Sequence, residues 1–594
     1  MRDLISFITI VLLSLTLGFA TIDEYGTMND APIKMASGFR NYYFLTTGDK
    51  SYLNPQKTPK LAKEIGLLKT HTFLKSHDYD PVDYSPLVDA LSVATCNFFH
   101  KKLGWLNYFD AHNAIVIVIF ALNIGVLYLF VKSIWGFWGG IISALFFGLF
   151  PRLIAHSHNN LNDIPLLFFF TTTIVVFYQA VTRQNSKLLA IAIGLFGISV
   201  ATKLNSVFLI FILIPWYLAF KTLNQISLSK QEKKVWLLSP IISYLSWLSV
   251  FPYFWTAENF EDFYSRQIHS HIFSMLFKEN VVGYEGGWNL SVFYQAFATT
   301  PTIVLLFLPI GIYFSLQKLL KQRDTHFILL FLWMVIPILK SGLPGIKNYE
   351  MIRHFINYIP PLVIFATLGA LKVFKLFSFL IQSSFRQKQL GAFGLFLIII
   401  STVYPVYKTH PYEILYFNNL VGGLRGGQKK FLYAYDYWQT SLRDLIIWLN
   451  KNAATNSKVA LVNFYDYNVM EPVLLRKDLQ KVTLKPIQEP ITLNYENQSP
   501  FNSMVEKYNF RGYAITLEKM ISTGEFINFL KLDHNLKPEY TIIIDKATVA
   551  KIYRIKRSYG VTRDLEKSYY FFYNEDGSLM MTKSAKFSNI PLNY

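Results

Sequence analysis

Leu4–Ala20 reads LISFITIVLLSLTLGFA, and Asp23–Lys63 just after it reads DEYGTMNDAPIKMASGFRNYYFLTTGDKSYLNPQKTPKLAK. The first run is apolar and close to the length that crosses a bilayer core about 30 Å thick. The second is polar. It carries Asp23, Glu24 and Asp30, an Ala-Pro-Ile-Lys step, a Thr-Gly-Asp turn and the Lys57-Thr-Pro59 step. Such a stretch is either an ordinary solvated loop or the floor of a site framed by membrane helices.

Composition decides the class. The chain has 594 residues, 52% hydrophobic and 17% aromatic, with 16% charged. The apolar residues come in long blocks: Leu4–Ala20, Phe109–Val131, Phe137–Phe150, Ile164–Val181, Leu188–Ala201, Val207–Phe220, Val235–Phe251, Phe297–Leu316, Phe327–Leu339, Phe355–Leu371 and Gly391–Tyr404. We therefore expect a polytopic α-helical membrane protein of about 11 spans. Pro215, Pro309, Pro337 and Pro361 lie in or beside these runs, as helix bundles tolerate. Leu4–Ala20 also reads as a signal peptide, and either reading leaves the next loop outside.

Basic residues set the orientation. Alternate loops hold Lys132; Arg183 and Lys187; Lys221, Lys230, Lys233 and Lys234; Lys318, Lys321 and Arg323; and Lys372, Lys375, Arg386 and Lys388. By the positive-inside rule these are cytoplasmic. Residues 21–108, 151–163, 201–206, 252–295, 340–354 and the chain after Val406 are then extracytoplasmic. The expectation is a multi-pass protein of the inner or plasma membrane. A membrane domain spans 1–406, with a large outer loop at 21–108, and a soluble extracytoplasmic α/β domain spans 407–594. The net charge of +19 reads as topology plus attraction to anionic membrane lipids, with no nucleic-acid partner. The lone Cys96 excludes a disulfide framework and a Cys-based metal site.

The polar groups gather at the outer ends of the spans. Leu61–Leu74 and Pro86–Phe99 have helical periodicity and suit surface helices. Ser76–Ser85 holds three Asp residues but lacks EF-hand spacing, so it reads as a turn. His156 and His158 diverge on a helix and share a face only on an extended segment, so a metal pair is not favoured. Asp163 is either a helix cap or a second carboxylate facing a cavity. Arg353 is either an interfacial anchor or an anion clamp. Ser441 with Asp444 resembles a capping box opening a helix. Lys458–Asn463 and Tyr540–Ile544 read as strands, and the tail from Tyr559, with its NEDG turn, as a hairpin or extended segment.

In order and spacing these motifs resemble the GT-C membrane glycosyltransferases, in the branch of the protein O-mannosyltransferases and the lipid A aminoarabinose transferase. The residues are Asp30-Ala-Pro-Ile-Lys34 with Gly38; Thr47-Gly-Asp49; Asn54-Pro-Gln-Lys-Thr-Pro59; the Pro151–Pro165 segment; Arg353-His-Phe with Pro360 and Pro361; His410-Pro-Tyr-Glu413; Gly422 and Gly423; and Asp436-Tyr-Trp438 with Ser441. The likeness spans residues 20 to 450. It departs where Ala31 replaces the family Glu, Lys34 the family His, and Thr58 one Pro of a pair. Asp23-Glu24 is a literal Asp-Glu pair, seven residues too early relative to Gly38.

The resemblance implies inverting transfer of a hexose-type sugar from a polyprenyl-phosphate-linked donor to an acceptor hydroxyl on a protein, lipid or glycan. Its catalytic Asp falls at Asp30, with Asp163 as a second carboxylate. Lys57, Arg353 and Lys34 are the cations expected to hold phosphate. Asp23, Glu24, His156, His158 and Gln56 are secondary candidates. No cofactor is required, and a divalent metal is conceivable but not expected. One alternative is a catalytically degenerate relative that binds glycan or protein through its outer domain. Another is a transporter, which calls for polar residues in mid-span and two related halves, and the sequence has neither. Reporter fusions after Lys234, Arg323 and Lys388 should read cytoplasmic, and those after Lys50, Glu279 and Asn450 external. A cytoplasmic signal at Asn450 overturns the topology.

Overall fold

The computed structural model describes residues 2–28, 30–53, 85–255, 287–344, 346, 350–379, 383–431, 434–464, 470–485, 487–493, 501–518, 525–533, 535–563, 567–576 and 578–586. Lys57, Gln56, the Leu61–Leu74 segment and most of Ser76–Ser85 lie outside the described residues. Every apolar run named above falls wholly or largely in helix. Among the described residues seven helices are long and apolar enough to cross a membrane, and Ser186–Thr202 and His326–Gly342 are shorter apolar helices. Phe109–Val131 and Phe137–Phe150 merge into one element, Tyr108–Gly148, broken at Gly136. Gly136 has φ 77°, which glycine adopts without the Cβ clash other residues meet. The run expected from Phe297 divides at Pro301: Ser291–Thr299 is a separate short helix, and Thr302–Gln322 is the long one.

The bundle packs closely where small residues allow it. Helices Thr302–Gln322 and Ile359–Phe379 cross so tightly that a Cβ on Gly311 would lie 1.8 Å from the Phe365 carbonyl oxygen. One on Gly369 would lie 2.0 Å from that of Phe307. Without hydrophobic driving force in lipid, such contact supplies association through dispersion. The bundle core is aromatic and aliphatic, with Trp216, Trp333, Phe146 and Phe365 fully buried.

The opening polar stretch differs from the loop expected. Ala31–Thr47 is a helix, with Asp30 at its N-cap position, Pro32 in its first turn and left-handed Gly48 at its C-cap. Proline suits the first turn because its missing N–H has no partner there in any helix. The Thr-Gly-Asp turn is therefore a helix stop, not part of a loop floor. The helix lies on Pro86–Cys96 through Gly38, where a Cβ would come within 2.3 Å of the Asp89 carbonyl oxygen.

Beyond Thr409 the chain builds two five-stranded sheets. The first uses β1 (Lys458–Leu461), β2 (Gln480–Val482), β5 (Gly512–Leu517), β6 (Tyr540–Ile544) and β7 (Ala547–Ile555), in the order β2-β1-β5-β7-β6. In it β1 runs parallel to β2 and β5, and β7 antiparallel to β5 and β6. The second uses β3 (Ile487–Leu493), β4 (Phe501–Tyr508), β8 (Tyr559–Arg563), β9 (Lys567–Tyr573) and β10 (Leu579–Lys586). It is antiparallel, in the order β10-β9-β8-β4-β3. The hairpin expected in the tail is β9–β10.

The capping box does not form. Ser441 makes no side-chain cap bond at helix Leu442–Asn452, and its N–H donates to Asp436 instead, at 2.7 Å. Asp444 accepts from the Tyr412 hydroxyl. One core runs from Ile22, Met28 and Phe39 through Tyr412 and Trp438 to Val459 and Ile552. The opening polar segment and the first C-terminal sheet thus share apolar burial. Gly311→Leu should force the crossed helices apart and lower stability in detergent by about 1–3 kcal/mol or more. An unchanged melting temperature would show that the crossing does not bear on stability.

Candidate active site

Arg353 lies in a short 3-10 segment, Met351–Tyr358, leading into helix Ile359–Phe379. Its guanidinium is buried and branched among three carboxylates. Nε donates to Asp163 Oδ2 at 2.9 Å, Nη2 to Asp30 Oδ2 at 3.1 Å, and Nη1 to Glu350. These four side chains come from three distant places in the chain. Asp163 is fully buried at the start of helix Asp163–Thr182. It takes Lys203 Nζ at 2.6 Å and Asn160 Nδ2 at 2.8 Å as well. It is therefore not the simple helix cap of one sequence reading. It is the buried anion that holds two cations in place, because an ionised carboxylate is tolerated inside a protein only when paired and hydrogen-bonded.

Asp30 has the opposite environment. Its side chain is 41% exposed, so it meets solvent on one side and Arg353 on the other. Trp438 backs the cluster. The Arg353 guanidinium lies 5.3 Å from its ring, its Nε1 donates to Glu350 Oε2 at 3.2 Å, and the His156 ring meets its edge at 4.9 Å. Burial pushes the Glu350 carboxyl above the usual carboxylate range, against the opposing pull of Arg353. The backbone beside the cluster is strained: Glu350 and Met351 have φ of 58° and 61° and Gln439 has 61°, all left-handed positions costly for non-glycine residues. Lys340, buried at the end of His326–Gly342, forms no ion pair among the described residues. It faces the Phe208 ring at 5.6 Å and lies within the field of Asp163 and Lys203.

Other residues singled out in the sequence go elsewhere. Lys34 is buried and pairs with Asp89 at 3.6 Å, tying Ala31–Thr47 to Pro86–Cys96. This takes it away from the cations around Arg353, because its helix turns it toward the neighbouring helix. Asp23 is exposed, and Glu24 pairs with His410. His410 also bonds Glu413 Oε1 at 2.9 Å, and with Glu413 first and Glu24 behind it the imidazole pKa is raised to about 9. His156 and His158 lie on helix Pro151–Asn159 and diverge. His156 bonds Asn160 at 2.8 Å, while His158 stacks on Tyr25 with ring centres 3.9 Å apart. Burial lowers His156 to about 3 and His158 to about 4, so both are neutral at physiological pH. Among the described residues no group of three His, Cys, Asp or Glu side chains could hold a metal ion.

Sequence reasoning missed Lys203, Lys340 and Glu350 as members of the site. Lys203 reads as the tip of a tight hairpin, and Glu350 is one polar residue in a polar stretch. The signal that could have found them is charge at the end of an apolar run, which by default marks function in a membrane protein.

Residues 107–249 match the family model described as dolichyl-phosphate-mannose-protein mannosyltransferase. That stretch contains Asn160, Asp163 and Lys203 but neither Asp30 nor Arg353. No curated protein matches the chain. Among solved structures the chain is similar to ArnT from Cupriavidus metallidurans in the apo state, at 12% identity and a TM-score of 0.44. It is also similar to ArnT bound to undecaprenyl phosphate, at 13% identity and a TM-score of 0.41. Both alignments cover 92% of this chain and 97% of that chain. The oligosaccharyltransferase of Archaeoglobus fulgidus in the apo form is similar at 13% identity and a TM-score of 0.43, over 80% of this chain and 64% of that chain.

Arg353→Ala should leave Asp163 and Glu350 buried beside an empty cation position, and should cost about 3–5 kcal/mol of stability. Asp30→Asn should change stability by less than about 1 kcal/mol, since half-exposed pairs contribute little. Equal unfolding midpoints for both variants would show that Arg353 does not hold the site together.

Proposed function

We propose that this protein is a membrane glycosyltransferase that moves a hexose-type sugar from a polyprenyl-phosphate donor to an acceptor hydroxyl, with inversion, on the outer face of the membrane. The observation that carries the reading is Asp30: a half-exposed carboxylate held by a buried arginine, next to a group of cations at the ends of apolar helices. The family-model match over residues 107–249 and the ordered motifs support the same reading.

The division of labour follows from burial. Asp163 is saturated by Lys203, Arg353 and Asn160, so it orients cations and has no capacity left for a proton in transit. Asp30 takes the acceptor hydroxyl's proton as that oxygen attacks the anomeric carbon. The bond from that carbon to the phosphate oxygen breaks, and polyprenyl phosphate leaves with the electron pair. Growing negative charge on the leaving phosphate needs preorganised cations. Arg353 supplies a planar fork, and Lys340, buried with no carboxylate partner among the described residues, supplies a point charge once the arriving phosphate pairs with it. Lys57 stays a candidate for the same task. Residues 1–406 then form the membrane domain and 407–594 the outer domain that covers the site.

The second reading is a relative that binds glycan or protein without turnover, and it is favoured by Ala31 in the position of the family Glu. One experiment separates the two. The purified protein is given radiolabelled polyprenyl-phosphate sugars and hydroxyl acceptors, and both donor binding and transfer are measured. Asp30→Asn should lower transfer about 10²–10⁴-fold with donor binding kept. Lys340→Met should weaken donor binding about tenfold or more, as expected for one charge-assisted contact. Donor binding without transfer in the unmodified protein supports the second reading. Full transfer in Asp30→Asn with none in Asp23→Asn would place the base one motif earlier.

A further inference from the structure

A cavity of about 220 Å³ lies between the ends of helices Thr302–Gln322 and Ser384–Thr409, where the chain passes from the bundle to the C-terminal sheets. Thr302, Ser401, Tyr404, Lys408, Tyr416 and Asp545 line it. Most of the apolar length of both helices is uncovered by the rest of the protein, as in helices that face lipid, and the cavity lies at their ends, where lipid headgroups would sit. Behind it, Arg152 donates from Nε to the Tyr416 carbonyl oxygen at 3.1 Å and lies over the Phe417 ring. None of the Arg353 cluster lines the cavity.

The charges at its base are one of each sign. Lys408 Nζ lies 2.5 Å from Asp545 Oδ1, with the Lys408 side chain 34% exposed and that of Asp545 12%. Asp545 sits in the tight turn between β6 and β7, where it and Lys546 have φ of 48° and 62°. Its other oxygen accepts the Leu424 N–H at 2.8 Å, which fixes the carboxylate. Ser401 and Tyr404 make no side-chain hydrogen bond among the described residues, so their hydroxyls are open to a ligand.

We propose that this cavity binds the headgroup of a zwitterionic phospholipid carrying a primary amine, of the phosphatidylethanolamine type. A lone anion would bring its charge against Asp545, and a lone cation would bring its charge against Lys408. A ligand with a phosphate and an ammonium a few atoms apart meets both, replacing one ion pair by two without changing net charge. The phosphate takes Lys408 and the Ser401 and Tyr404 hydroxyls. The ammonium donates to Asp545, which a trimethylammonium group has no N–H to do. The acyl chains run along the lipid-facing sides of the two helices.

The test is a lipid titration of the full-length protein in detergent, read by native mass spectrometry. Phosphatidylethanolamine, phosphatidylcholine and phosphatidylglycerol of matched chains are compared, with free phosphoethanolamine and inorganic phosphate as competitors. One phosphatidylethanolamine should be retained about tenfold more tightly than either other lipid, the order of one charge-assisted contact. Asp545→Asn should remove the preference over phosphatidylcholine. Ser401→Leu, which fills the cavity and leaves the ion pair intact, should remove it too and carries the test if Asp545→Asn does not fold. Equal retention of all three lipids, or an unchanged preference in Ser401→Leu, overturns the proposal. Displacement of the lipid by free phosphoethanolamine or phosphate at equal concentration also overturns it, because the source would then be a soluble anion.

Discussion

The burial of Arg353 among Asp30, Asp163 and Glu350 is the constraint on which the rest depends. A guanidinium taken out of water must find carboxylates and must use most of its five donors. Here it finds them in the opening polar segment, at the head of a long helix and in its own approach segment. The half-exposed Asp30 adds little stability to this junction, and the opening stretch is held mainly by its shared apolar core and the buried Lys34–Asp89 pair. Trp438 adds the C-terminal part of the chain to the same junction, through its ring under the guanidinium and its bond to Glu350. One side chain thus joins segments separated by hundreds of residues.

A second buried pair reinforces this junction. Arg443 grips Asp110 with two parallel bonds of 2.9 and 3.0 Å and also donates to the Tyr25 carbonyl oxygen at 2.8 Å. Helix Leu442–Asn452, the start of Tyr108–Gly148 and the entry to the opening polar segment meet there. Bidentate geometry fixes orientation as well as distance. The His410 group with Glu24, Glu413 and Tyr25 makes a third tie nearby, more open to solvent. Together the three hold the half-exposed Asp30 at a defined height above the buried Asp163.

The buried carboxylate and the exposed one illustrate how environment divides roles between like groups. Asp163 and Asp30 both bond Arg353, yet one is saturated by two further donors and the other meets solvent. The same logic separates the cations. Lys203 is committed to Asp163, Lys34 to Asp89, and Lys340 has an aromatic ring for its nearest partner.

The sequence by itself determined the helical membrane class, because runs of apolar residues of bilayer length have no other stable form in lipid. It also read strands at Lys458–Asn463 and Tyr540–Ile544 from their local apolar, β-branched character, and the first ends at Leu461 in the structure. It brought Asp163 and Arg353 forward as functional candidates, since charge at the end of an apolar run is costly unless used, and Asp30 through the motif spacing to Gly38 that the family resemblance supplies. Only the tertiary structure decided that these three touch, that Lys203, Glu350 and Trp438 complete the group, and that Lys34 belongs to a different pair. It also decided that Ala31–Thr47 is helical and that Ser441 is no cap, because packing on Pro86–Cys96 and the pull of Asp436 outweigh local preference. Contacts across 190 and 323 residues leave no periodicity for a reader of one sequence. They arise from the need to neutralise charge in a low-dielectric interior, and that need is met only when the whole chain has folded.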